Sequence, residues 1–292
     1  MKIYILGGMS LLFSFLLIPF FKRVYKNIGI LDMPGGRKSH ELPTPTCGGI
    51  VFLLSVWLLL FVLNPIYPKL VFLGALIAFL IGFVDDTNKD RIPWQIKLFG
   101  HILCSAVASY GLFPGNIHLQ ILFIVYSTLM INAINLEDNM NGISIGVSIV
   151  ILLILILKKD IHTRSGILSF LGILALIPLF LFNFPKGRIF LGDQGSILIG
   201  YTIAVLLFQN GAKNIYPDPA IVTIGIFPIL DMFITFLYRI THGLSPTKAD
   251  QNHLSHRLSR TGLGNFNAAV VIWILTFVLG YGCSYIIESL KQ

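Results

Sequence analysis

The stretch VFLGALIAFLIGFVDDTNKD, residues 71 to 90, runs apolar from Val71 to Val84 and then meets two adjacent carboxylates, Asp85 and Asp86. The run reads as a helix crossing a bilayer, with two acids where it should reach water. A helix ending there carries partial negative charge at its C-terminus, so two aspartates are poor dipole partners and a positive partner is expected. A divalent cation, commonly Mg²⁺ for hard oxygen ligands, with a phosphate-bearing substrate held through it, meets that expectation. A solvated loop at a membrane boundary is the plainer alternative.

Apolar runs of this kind recur along all 292 residues, which are 55% hydrophobic and 12% charged with a mean hydropathy of +0.82. An ordinary soluble domain has about 25% charged residues. The composition therefore predicts an all-α, polytopic membrane protein with about ten transmembrane helices, since spans of about 20 residues leave no room for a sizeable soluble domain. Residues 1–292 form a single integral membrane domain on this reading. The spans fall near residues 3–21, 48–63, 70–84, 96–113, 117–131, 142–157, 166–182, 196–208, 219–238 and 266–287. The first is longer than a secretory signal core, lacks an A-x-A cleavage site and is followed at once by Lys22, Arg23 and Lys26, as expected of a span with a basic cytoplasmic end. Cys47, Cys104 and Cys283 are too few and scattered for a disulfide framework or a metal pattern and read as packing residues.

In a chain of spans, the formal charge of +8 is a topology signal, which argues against nucleic acid as a partner. Fourteen of the 21 lysines and arginines flank the loops after odd-numbered spans, which places those loops in the cytoplasm of a multi-pass plasma (inner) membrane protein. Lys158, Lys159 and Arg164 run against the bias. Nine of the thirteen acids lie in the same cytoplasmic loops, so the active site is expected there. No internal repeat is evident, which weakens a transporter reading.

The first cytoplasmic loop, GGRKSHELPTPTCGG from Gly35 to Gly49, offers Arg37, Lys38 and His40, all phosphate-binding types, on a stiff and sharply turned entry to the second span. A positive-inside loop against lipid headgroups looks the same. The stretch NAINLEDNMNG, Asn132 to Gly142, presents Asn132, Asn135 and Asn141 with Glu137 and Asp138 at three-residue spacing along one helical face, suited to a base edge or a sugar. Its alternative is an Asn-rich helix start with an Asn-Gly turn.

In NFPKGRIFLGDQGS, Asn183 to Ser196, Gly192 and Gly195 flank Asp193 just before an apolar run. Asp193 is either a helix N-cap or a metal-ligating carboxylate beside exposed amides, with Phe190 placed to stack on a base. In SPTKADQNHLSHRL, Ser245 to Leu258, His253, His256 and Arg257 cluster on one helical face suited to a diphosphate. A zinc site needs more ligands than the two histidines, and histidines near lipid headgroups are the plainer reading. Asp231 lies inside the ninth span, where an ionisable residue is costly and is usually paired or functional. Arg239 is too far along the same helix to be its partner, which is left open.

Taken together and in order, RKSHELPTPTCGG, GFVDDTNKD, NAINLEDNMNG, FNFPKGRIFLGDQGS and SPTKADQNHLSHR resemble the motif set of the polyprenyl-phosphate N-acetylhexosamine-1-phosphate transferases, the glycosyltransferase family 4 relatives of the translocase that makes lipid I. The resemblance covers residues 35 to 260. It implies transfer of an N-acetylhexosamine 1-phosphate, GlcNAc-1-phosphate first among them, from a UDP-sugar to undecaprenyl phosphate, with release of UMP. It implies Mg²⁺, with Mn²⁺ as the alternative metal, and a homodimer. By matching positions, Asp85, Asp86 and Lys97 resemble the catalytic group, and Asp193, with Asp86, the metal ligands. Asn132, Asn135, Asp138 and Asn141 resemble the nucleotide-site residues and Phe190 the ring stacked on uracil. His253, His256 and Arg257 resemble the diphosphate group, with Arg37, Lys38 and His40 in the first loop.

Three positions depart from the family pattern. Asn141 stands where bacterial relatives usually have an aspartate, Ser255 interrupts the histidine cluster, and Asp90 is an imperfect match to a third aspartate. Two other readings follow from the sequence: a transporter or flippase for a phosphorylated substrate, which would use Asp231, and a non-catalytic relative that binds UDP-sugars.

Overall fold

The computed structural model describes residues 2–34, 42–63, 68–88, 92–159, 161–213, 216–244 and 253–291. Arg37, Lys38, His40 and Asp90 lie outside the described residues. The chain is mostly helical. In order come α1 (Lys2–Ile28), α2 (Gly48–Leu63), α3 (Lys69–Thr87), α4 (Trp94–Leu112), α5 (Ile117–Glu137), α6 (Ile143–Lys158), α7 (Arg164–Asn183), α8 (Asp193–Gly211), α9 (Pro219–Thr241) and α10 (Leu254–Ser289). Each falls on a predicted span. Six of them, α1, α3, α5, α7, α9 and α10, are long and apolar enough to cross a membrane, whereas α2 and α6 are shorter apolar helices. Polar residues such as Lys97 and His101 in α4, and Gln194 and Gln209 in α8, make those two less apolar.

Helix α8 is the axis of the fold. Its residues Ile197 to Phe208 are buried almost without interruption, as expected of a helix that is apolar on every face and enclosed by others. It packs against α3 and α5, and close approach is made possible by small residues, the usual device where lipid removes the hydrophobic drive between helices. A side chain at Gly82 of α3 would overlap the backbone of Gln194, and a Cβ on Gly200 would stand 2.8 Å from Ile131 Cα. Two buried polar side chains of this core are tied across helices. Tyr201 donates to the Val71 carbonyl at 2.7 Å, and the Trp57 indole to Thr202 Oγ1 at 3.0 Å.

Two helix ends differ from expectation. Helix α3 does not stop at Val84 but continues through Thr87, so Asp85 and Asp86 lie in its last turn. Helix α5 ends at Glu137, with Asp138 as its C-cap, so Asn132 and Asn135 are helical while Asn141 sits in the following turn. The expected single helical face, from Asn132 to Asn141, is therefore broken after Glu137. At the other end of the chain, Gly262 (φ 96°) and Gly264 (φ 71°) take left-handed conformations that break α10 between its first turns and the long segment Gly264–Ser289.

A two-residue antiparallel ribbon, β1 (Leu31–Asp32) with β2 (Thr44–Pro45), ties the end of α1 to the entry of α2. The C-terminal ends of α1, α3, α5, α7 and α9 thus share one side of the bundle with the N-terminal ends of α2, α4, α6, α8 and α10. On the opposite side, Lys158 pairs with Glu288 at 2.6 Å and sits 4.8 Å from the centre of the Tyr281 ring. One of the lysines that ran against the charge bias is therefore partly neutralised by its neighbours.

Candidate functional site

Adjacent residues on a helix point about 100° apart, so Asp85 and Asp86 face different partners. Asp86 turns to α8. Its Oδ1 accepts the Asp193 N–H at 3.0 Å, and its Oδ2 accepts the Gln194 N–H at 3.2 Å and Gln194 Nε2 at 3.0 Å. These are first-turn amides with no partner inside their own helix, and they lie at its positive end. The positive partner required at the end of α3 is thus, for Asp86, the start of α8. The fit requires Gly192, at φ 72°, where a Cβ would stand 2.5 Å from Asp86 Oδ2. Gln194 extends the network, since its amide also donates to the Thr46 carbonyl at 2.8 Å and its Oε1 accepts Tyr25 OH at 2.9 Å.

Asp85 turns to α4. Its Oδ1 accepts the Ile92 N–H at 2.8 Å, and its Oδ2 lies 3.1 Å from Lys97 Nζ. The same ammonium stands 2.5 Å from Asp193 Oδ2. Asn135 Nδ2 donates to Asp193 Oδ1 at 3.1 Å and to Ser196 Oγ at 2.8 Å. Helices α3, α4, α5 and α8 therefore bring Asp85, Lys97, Asn135 and Asp193 into one chain of contacts, although 108 positions separate the first from the last.

A cavity of about 1080 Å³ opens above this chain of contacts, lined by Asp32, Asp85, Asp86, Asp138, Asp193 and Phe190 among others. Among the described residues five carboxyl groups line this space and the Lys97 ammonium lies beside it, so acids outnumber bases there. Burial pushes the Asp138 carboxyl well above the usual carboxylate range, and the charges of Asp193, Asp86 and Asp32 push in the same direction. Hard oxygen donors in excess of positive charge fit a divalent cation. Among the described residues no group of three His, Cys, Asp or Glu side chains is set to hold a metal by itself. Mg²⁺ commonly binds through one or two carboxylates and completes its shell with water and substrate phosphates. Asp193, Asp86 and Asp138 all line the cavity. Asp193, which the sequence singled out, and Asp138 beside it are the acids that would hold such an ion, while both oxygens of Asp86 also accept amides from the start of α8.

The turn after α5 docks on the loop after α7. Asn141 Nδ2 donates to the Pro185 carbonyl at 3.2 Å, and Gly142 N–H donates to Asn183 Oδ1 at 2.6 Å. An aspartate at position 141 has no N–H to give, so the departure at Asn141 has a physical counterpart in this contact. Ser255 has one too, its hydroxyl donating to Asn139 Oδ1 at 2.8 Å. Phe190 is half-buried in the cavity wall, held by its N–H to the Pro45 carbonyl at 2.8 Å. Asn132 turns back on its own helix, donating to the Thr128 carbonyl at 2.7 Å.

The basic group is dispersed. His253 is buried against Asp231, His256 is half-buried, and Arg257 is exposed with its guanidinium 5.8 Å from the Tyr238 ring centre. Asp231 thereby gains the partner that the sequence left open. Sequence reasoning missed Tyr25, Asn139, Asn183 and Gln194 as positioning residues. Asn139, Asn183 and Gln194 stood inside the polar motifs, but Tyr25 had no signal beyond its place near the end of the first span. Cys47 is buried, and burial pushes its thiol up to about 12, in keeping with a packing role.

The model of glycosyl transferase family 4 matches residues 69–210, from the start of α3 almost to the end of α8. The chain is 27% identical over 293 aligned residues to the undecaprenyl-phosphate alpha-N-acetylglucosaminyl 1-phosphate transferase of Escherichia coli strain K12, covering 92% of this chain and 79% of that protein. It is 28% identical to the probable undecaprenyl-phosphate N-acetylglucosaminyl 1-phosphate transferase of Bacillus subtilis, covering 92% and 80%. A Yersinia pestis protein with the same name as the E. coli one is 27% identical over 295 residues, with 92% and 80% coverage.

Proposed function

We propose that this chain, which belongs to glycosyl transferase family 4, transfers an N-acetylhexosamine 1-phosphate from a UDP-sugar to undecaprenyl phosphate. The observation that carries the reading is Lys97 bridging Asp85 and Asp193 beneath an acidic cavity, inside the segment that matches the family. GlcNAc-1-phosphate is the first donor group to test, since the relatives are named for it.

In this reaction an oxygen of the lipid phosphate forms a bond to the sugar-bearing phosphorus of the donor. The bond from that phosphorus to the bridging oxygen breaks, and UMP leaves with the electron pair. A phosphate is already largely ionised at neutral pH, so positioning and charge stabilisation supply most of the rate. Lys97 fixes the separation of Asp85 and Asp193 and puts a positive charge where the diphosphate arrives. Asp86 holds the start of α8, and with it Asp193. Asn135 orients Asp193 from the side, and Phe190 offers a ring face to the base. Asp193 and Asp138 would hold Mg²⁺, which when bound would neutralise charge on the diphosphate.

The charge bias puts the cleft on the cytoplasmic face of the plasma membrane, with the helices from α1 to α10 as spans. The resemblance suggests a homodimer, and the cleft described above is built from residues of one chain. A transporter reading has less support, because Asp231, the residue it would use, is engaged by His253. The test is UMP release by the purified protein from a panel of UDP-N-acetylhexosamines, with undecaprenyl phosphate and Mg²⁺. We expect release from at least one donor, abolished by EDTA; none from the whole panel overturns the proposal.

A further inference from the structure

We propose that Asp231 is a positioning residue that sets the basic turn from His253 to Arg257 against the wall of the cleft; this rests on the transferase reading above. Asp231 lies within the membrane-spanning helix α9 and is 5% exposed. A carboxylate there is costly unless its lone pairs are used. Both oxygens are used, on two consecutive residues. Oδ2 is 3.0 Å from His253 Nδ1, and Oδ1 accepts the Leu254 N–H at 3.2 Å. A carboxylate only accepts, so the hydrogen lies on Nδ1 of the ring, and the tautomer and ring orientation are set together. Thr235, one turn further along α9, brings its hydroxyl to 3.5 Å from the same nitrogen.

Two anchors on adjacent residues fix both the position and the direction of the chain as α10 begins. The next residue, Ser255, is 1% exposed and donates to Asn139 Oδ1 at 2.8 Å. Asn139 lines the cavity beside Asp138. An unbroken series of contacts thus runs from the interior of α9, through the start of α10, to the cavity wall. His256 and Arg257 follow in the same short turn. Asp231→Asn keeps one acceptor oxygen, so the turn loses one of its two anchors, and its cations lose their fixed distance from the acidic cavity. Groups that bind a diphosphate equally in the ground and transition states affect KM and leave kcat unchanged.

The experiment is steady-state kinetics of UMP release by the full-length protein in detergent, with the UDP-sugar varied, for Asp231→Asn, Arg257→Gln and the double variant. We expect Asp231→Asn to raise the donor KM about tenfold while kcat stays within about threefold, in line with the loss of a uniform binding contact. We also expect Arg257→Gln to have a smaller effect in the Asp231→Asn background than alone. Arg257 is exposed, so a purely structural role for Asp231 predicts additive effects. Additivity, or an unchanged donor KM in Asp231→Asn, overturns the proposal. If Asp231→Asn does not fold, His253→Asn and His253→Ala replace it. The asparagine can place an N–H where the ring Nδ1–H stood, so it should retain a lower donor KM than the alanine, and equal KM values overturn the proposal. Absence of UMP release by the unaltered protein counts instead against the transferase reading.

Discussion

The Asp86 carboxylate accepts the backbone N–H of Asp193 at 3.0 Å, so the second acid of the pair caps the helix on which the acid at the floor of the cleft is the first residue. Two like charges at the end of one helix are thereby split between two positive partners, the N-terminus of α8 for Asp86 and the ammonium of Lys97 for Asp85. Adjacent and identical in sequence, the two aspartates have different work.

That difference predicts different failures. Asp86→Ala removes the acceptor for two first-turn amides of α8 and should lower stability by about 1 kcal/mol, the usual cost of a lost helix cap. Asp86→Asn keeps one acceptor oxygen and should fall between the alanine variant and the native protein. Asp85→Asn should leave unfolding nearly unchanged while lowering turnover by roughly a hundredfold or more, as removal of a charge-stabilising group does. Thermal unfolding and UMP release measured on the same preparations separate the two roles.

Lys97 competes with any cation for Asp193. Lys97→Met should therefore tighten Mg²⁺ binding, by roughly tenfold for one charge removed at this range, while turnover falls by about a hundredfold or more. Calorimetric titration of Mg²⁺ into the two proteins, beside their rates, checks both directions. Weaker Mg²⁺ binding in Lys97→Met contradicts the competition.

Asp218 caps the start of α9 and pairs with Lys291 beyond the end of α10, on the side away from the cleft. Burial pushes its carboxyl up, but the hydrogen bond from Lys291, the Ala220 N–H and the charges of Lys291 and Lys159 together hold it below the ordinary carboxylate value. A depressed acid contributes stability above its unfolded pKa of about 3.9, and that stability is lost as pH falls through the folded value. Asp218→Asn should lower the unfolding temperature by about 1–3 °C at neutral pH, the scale of a partly exposed pair, and by nothing measurable at pH values well below 3.9. A difference that persists undiminished in acid contradicts this account.

Much of the fold was legible in the sequence because apolar length and the bias of Lys and Arg report on the bilayer directly. The order of the helices and the shared side of Asp85, Asp138, Asp193 and His253 followed from those two signals. What was hidden depended on direction. Nothing in an adjacent pair of aspartates says that one faces α4 and the other α8, because that follows from the 100° step of a helix continuing past Val84. The Asp231–His253 pair joins residues 22 positions apart across a loop, a contact set by packing and not by periodicity. The amides of Asn141 and Ser255's hydroxyl looked like departures from a pattern, and their hydrogen bonds to Pro185 and Asn139 appear only once the loops are brought together.

The most direct measurement follows the phosphorus itself. Incubation of the purified protein with UDP-GlcNAc labelled in its β-phosphate, undecaprenyl phosphate and Mg²⁺ should move the label into the lipid fraction and leave unlabelled UMP in solution. The Asp193→Asn variant should fail to do so at equal expression. Label recovered as soluble UDP, with the sugar transferred without its phosphate, contradicts the account, and so does lipid labelling at an equal rate by Asp193→Asn.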